Sequence, residues 1–188
     1  MKSRLFAAAV IMSCLSLLVY GTTAFFTAED TAHNVITSGG IEIELREWAD
    51  EEKTTLFPEN GVSGVMPGTA VTKIVEAKNT GSSAAWVRVS VEKAIMFSDG
   101  VEGDVDLDLI ALDFDETRWT LGEDGYYYYQ EALAPGAVTG PLFTAVSFDS
   151  SVGNLYQNST VTVDVTVYAV QTANNGATAL KAQGWPEE

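Results

Sequence analysis

The chain of 188 residues has one cysteine, one histidine, five prolines and only ten basic side chains against 26 acidic ones. A single cysteine excludes an intramolecular disulfide framework, and a single imidazole excludes a zinc site built on two or three histidines. The formal net charge of −16 and the lack of any Lys/Arg cluster argue against binding to nucleic acid, where phosphates demand grouped cations. The same charge disfavours adhesion to anionic lipid. Helix-forming periodicity is scarce, and no run reads as a phosphate-cradling loop, since Gly61-Val62-Ser63-Gly64 lacks the Lys-Ser/Thr that would complete one. The chain nonetheless has material for a core, at 46% hydrophobic and 19% charged residues.

The N-terminus carries an export pattern. Lys2 and Arg4 precede an uncharged run from Leu5 to Tyr20, and Gly21-Thr22-Thr23-Ala24 supplies a small-residue exit. The run is shorter than the ~20 residues needed to cross a bilayer, so residues 1–24 read as a signal peptide cut between Ala24 and Phe25. Cys14 leaves with it. Eight basic and 26 acidic side chains then remain in a thiol-free chain of net −18, suited to an oxidising exterior. We expect one domain over residues 25–188.

The rest reads as strands. Ile41–Arg46 alternates apolar and charged residues, as do Trp86–Glu92 and Thr160–Tyr168, with valines on one face and polar groups on the other. Val71–Lys78 is β-branched and ends at the turn residues Asn79-Thr80-Gly81. Shorter strands are expected at Trp119–Leu121, Tyr126–Tyr129 and Thr144–Phe148. Val105–Phe114 suits a helical turn or two, or a strand. Short strands punctuated by Gly and Pro imply an all-β fold, an antiparallel sandwich or barrel.

Candidate chemistry is sparse. Asp104, Asp106 and Asp108 resemble the start of a calcium loop, but Leu109 and Asp115 stand where an EF-hand needs Gly and Glu, so they are at most weak calcium ligands. His33 has no HExxH partner, no cysteine nucleophile survives export, and no Gly-x-Ser-x-Gly elbow frames a serine. In Tyr126–Tyr129 alternate rings should enter the core while the other two stay outside, where they could form a contact surface.

Gly21–Asn34, followed by Ile36–Ile43, resembles the start of the TasA/camelysin family of secreted bacterial proteins. Met66-Pro67-Gly68, the strand before Asn79-Thr80-Gly81-Ser82, and Trp86-Val87-Arg88-Val89 continue the likeness. So do Asp124–Tyr129, Leu133-Ala134-Pro135-Gly136 and Pro141-Leu142-Phe143. The resemblance implies a jelly-roll β-sandwich, processing by a SipW-type signal peptidase, and self-association into homopolymeric fibres of a biofilm matrix. Residues 25–40 would be an extended donor strand added to the next subunit, with Phe25, Phe26, Val35 and Ile36 as anchors. Packing of that segment in its own subunit is the alternative. Camelysin-like members are classed as metallopeptidases, a reading that the solitary His33 disfavours. A monomeric cell-surface binding module using Tyr126–Tyr129 is a third possibility. No stable membrane span is expected after cleavage. Subunits of net −18 repel at low salt and should assemble more readily with added salt, calcium or acid.

Overall fold

The computed structural model describes residues 27–31, 34–36, 40–58, 67–97, 102–151, 156 and 159–186. In chain order the strands are β1 (Thr27–Thr31), β2 (Asn34–Ile36), β3 (Ile43–Trp48), β4 (Ala70–Thr72), β5 (Ile74–Asn79) and β6 (Ala85–Met96). They are followed by β7 (Ile110–Leu112), β8 (Trp119–Leu121), β9 (Tyr127–Tyr129), β10 (Ala145–Phe148) and β11 (Thr160–Gln171). Every described strand pairing is antiparallel, and among the described residues the only helical pieces are 3-10 turns, so the fold is all-β.

One layer is a six-stranded sheet in the order β2-β1-β11-β6-β9-β8. The other is formed by β4-β10-β7 and β3-β5. Main-chain bonds join these two pieces: Lys73 N–H donates to Thr144 O, Val75 N–H to Phe143 O, Thr139 N–H to Ala77 O and Asn79 N–H to Ala137 O. The stretch Ala137–Phe148 thus runs antiparallel along β4 and β5 and makes the second layer continuous. Buried Asn79 pins the crossing, its amide donating to Ser83 O at 2.8 Å and Leu133 O at 2.9 Å.

Period-2 alternation builds the core. Val87 and Val89 on β6, and Val165, Val167 and Ala169 on β11, turn inward with Trp119 and Tyr129. They meet Ile41, Ile43, Val75, Ala77, Ile110, Leu142, Phe143 and Val146 from the second layer. Each such aliphatic side chain contributes about 1.5–3 kcal/mol on burial.

Two expectations, at Val71–Lys78 and at the tyrosine run, are corrected, and the choice left open at Val105–Phe114 is resolved. Val71–Lys78 is not one strand: it breaks at Lys73, so that β4 joins β10 while β5 joins β3. There the partner strand slips by one residue: Lys73 N–H meets Thr144 O in step with β4, but Val75 bonds both Phe143 O and Leu142 N–H. Val105–Phe114 divides into a 3-10 turn at Leu107–Leu109 and β7, because Asp106 accepts from Asp108 N–H and caps the turn. The outer pair of tyrosines is not left outside. Tyr127 and Tyr129 face the main core, whereas Tyr126 and Tyr128 lie in a second cluster with Trp86, Val170, Ala179 and Trp185, beneath the C-terminal segment.

That C-terminal segment is a hook. Asn175 receives Gln183 N–H at 2.8 Å and donates to Gln171 O and Gln183 O. Trp86 Nε1 donates to Gly176 O at 3.0 Å, and a Cβ on Gly176 would sit 2.3 Å from Lys181 O, so only glycine admits this closure. Arg88 fastens the end of the hook. Its guanidinium lies 3.8 Å from the Tyr126 ring centroid and 4.9 Å from that of Trp185, and Nη2 donates to Pro186 O at 3.0 Å.

Candidate functional site: the N-terminal strand and the β11 edge

β1 is held to the body as the outer neighbour of β11, in a register running from Thr27 opposite Val170 to Thr31 opposite Thr166. β2 turns back on it, pairing Glu29 with Ile36 and Thr31 with Asn34. The hydrogen-bond phase follows from a single bond beyond the strand. Thr172 N–H donates to Ala84 O, continuing the register in which Gln171 stands opposite Ala85. Even-numbered residues of β11 therefore bond to β6, and odd-numbered ones direct their N–H and C=O groups to the other side. β1 satisfies the odd residues Val167 and Ala169. It ends at Thr31, while β11 and β6 continue as a pair to Thr160 opposite Met96.

Among the described residues, no strand pairs with Thr160–Val165 on that outer side. One carbonyl there is capped. Lys73 Nζ donates to Val163 O at 3.1 Å, in the outward direction that the phase requires. The same ammonium is 3.0 Å from Glu47 Oε1 and 4.6 Å from the Phe57 ring centroid, and its side chain is only 8% exposed. Lys73 reaches from the second layer to the edge of the first, where it occupies an acceptor that a strand would otherwise use.

At the opposite end of the six-stranded sheet, β8 borders a shallow cleft of about 240 Å³ between Phe114, Asp115, Glu116, Trp119, Leu121 and Tyr127. Phe114 and Tyr127 stack with centroids 4.2 Å apart. Burial, with the charge of Glu116, pushes the Tyr127 hydroxyl above its ordinary pKa.

The expected site residues are distributed as follows. Ala24, Phe25, Phe26 and His33 lie outside the described residues. Val35 and Ile36 fall in β2, placed at a sheet edge by backbone pairing. Asp104, Asp106 and Asp108 do not converge: Asp106 caps its own turn, all three are exposed, and among the described residues no three His, Cys, Asp or Glu side chains gather around one point. The surplus of aspartates has another use. Asp50 accepts from Thr54 and Thr55, Asp115 from Thr117, and Asp149 from Ser151, each closing a turn, whereas Asp113 accepts from Thr144 and Ala145 and ties the end of β7 to the start of β10. Sequence reading missed the Lys73–Val163 bond and the Arg88 hook. The signal for Lys73 was a cation interrupting a β-branched run; the hook had no local pattern to announce it.

Among the described residues, no helix is long and apolar enough to cross a membrane. Comparisons with protein-family models, with curated proteins and with solved structures find no match for this chain.

Proposed function

We propose that the chain is a secreted structural subunit, resembling the TasA/camelysin proteins, with a jelly-roll arrangement of its two layers and assembly by N-terminal strand addition. The observation that carries this reading is the attachment of β1, which closes a sheet edge on β11 through main-chain pairing. Main-chain pairing is indifferent to which copy supplies the strand, so Thr27–Thr31 can leave its own β11 and take the same register on a neighbour's. Such an exchange is head-to-tail and propagates into a fibre unless it closes into a ring. The turn-closing aspartates support a structural role as well, since they spend acidic side chains on backbone donors and not on a catalytic constellation. Export would precede assembly, with a SipW-type peptidase releasing residues 1–24.

The test is negative-stain microscopy and size-exclusion chromatography of the chain from residue 25, with and without residues 25–39. Filaments from the longer chain alone, favoured by added salt, are expected. Filaments that persist after truncation sink strand donation, and chelator-sensitive proteolysis lost on His33→Ala would replace the structural reading with the metallopeptidase one.

A further inference from the structure

We propose that Thr160–Val165 of β11 is a latent docking edge for the same stretch of a second copy, and that Lys73 is the guard that keeps it closed. This edge is distinct from the β1 footprint on Thr166–Val170, so the proposal stands whether or not the N-terminal strand is exchanged.

The edge has what strand pairing needs. By the phase set at Thr172, the main-chain groups of Val161 and Val163 point away from β6. The stretch is flat in pattern and β-branched, with exposed Thr160, Thr162 and Asp164 on the outer face and half-buried Val161 and Val163 on the inner. Edges of this composition that no strand pairs, as here among the described residues, are templates for another chain.

The sequence is also complementary to itself. In an antiparallel pair, residues directly opposite share a face, so a two-fold register must place valine against valine. Centring the pair on Thr162 sets Val161 opposite Val163 of the second copy and Thr160 opposite its Asp164. Centring on Val163 sets Val161 opposite the second copy's Val165 and Thr162 opposite its Asp164. In both registers Asp164 meets a threonine and never another carboxylate, so the acidity of the chain does not forbid the contact locally. The interface is isologous and closes as a pair of copies.

Lys73 opposes this. It holds Val163 O, an acceptor that both registers use, and Glu47 holds Lys73. A lysine directed at an edge blocks a neighbour in two ways: it removes an acceptor, and a strand laid over it would bury an ammonium that had lost its oxygen. Replacing the cation leaves the Val163 carbonyl open to an incoming N–H.

Two measurements decide. In the wild-type chain, amide hydrogen exchange should alternate along this stretch, fast at Val161 and Val163 and slow at Thr162 and Asp164, which bond to β6. Equal protection at all four positions overturns the open edge. Sedimentation of Lys73→Met/Glu47→Gln, which removes both charges and leaves neither buried alone, should show self-association roughly tenfold tighter than wild type. Adding Val163→Pro should restore wild-type behaviour, because it deletes an outward N–H without touching the β6 ladder. A folded double variant that associates no more than wild type, or association that survives Val163→Pro, overturns the guard. If the double variant fails to fold, the alternation in hydrogen exchange alone decides.

Discussion

Strands β6 and β11 are paired along twelve residues, yet their two halves live in different surroundings. From Ala85 to Val89, and from Val167 to Val170, consecutive residues are buried on both faces, one against the second layer and the other beneath the C-terminal hook. From Val91 to Met96, and from Thr160 to Asp164, burial alternates and the outer face meets water. The covered half carries Trp86, Arg88 and Tyr168 on its outer face; the open half carries Ser90, Glu92, Thr162 and Asp164. A ladder of main-chain bonds is common to both. What differs is side-chain burial, and with it the free energy that each half contributes and the freedom of its edge.

The sharpest way to break the comparison is Trp86→Ala. Trp86 stands on the outer face but is 8% exposed and bonded to Gly176 O, so its loss should cost about 3–5 kcal/mol, as a core truncation does. A urea titration reads this directly. Trp185→Ala should cost about 2 kcal/mol, because it removes one of the rings around Arg88 and the edge contact to Tyr128, whose centroids are 5.8 Å apart. Hydrogen exchange should then rise over residues 173–186 and not in the open half.

Acid acts elsewhere, on the loops. The Thr54 backbone bond lowers the Asp50 pKa, the Thr117 hydroxyl that of Asp115, and the Ser151 hydroxyl that of Asp149. At Asp113 burial raises the value, but the bonds from Thr144 and Ala145 outweigh it and the net shift is downward. Groups whose folded pKa is depressed contribute stability above the ordinary carboxylate value of about 4, and that contribution vanishes as pH falls through the lowered values. The urea midpoint should therefore hold from pH 7 to 5 with respect to these caps and drop below about pH 4, with Asp113→Asn flattening the fall. The same titration opposes the gain in assembly expected from neutralising the chain by acid, so filament yield should peak before the turns open. The smallest effect sharpens the contrast from the open side: Glu92 stands directly opposite Asp164, and Glu92→Lys turns a like-charge pair into an opposite one, for a gain of about 0.5 kcal/mol.

The open half was the more legible one in sequence. Thr160–Tyr168 alternates because one face is wet, and a wet face is what period-2 patterning records. The covered half breaks that rule: Trp86, Arg88, Tyr128 and Val170 are buried where alternation predicts exposure, since the hook that covers them comes from residues 173–186, far along the chain. The tyrosine run illustrates the limit. Its alternation between two faces was readable, but the identity of the second face was not. Lys73 is the same problem in reverse, a charged residue whose position looks like a surface and is in fact a junction between layers. Of the residues expected as donor-strand anchors, Val35 and Ile36 fall in a paired strand, and the register of β1 on β11 could not have been found without the pairing itself.

Composition and periodicity by themselves determined that this chain is an all-β protein, because alternating β-branched residues have a single efficient way to bury one face and the chain offers almost nothing to a helix. They also determined, from a single histidine and only ten basic side chains, that a site of paired imidazoles or a basic patch has no material here. Only the tertiary structure decided which sheet edge β1 closes, where the outer face is covered and what Lys73 touches. Each of these includes a meeting of residues about ninety or more positions apart, as Lys73 to Val163 and Arg88 to Pro186, and no local pattern encodes such a meeting. It follows from the packing of two layers into one core.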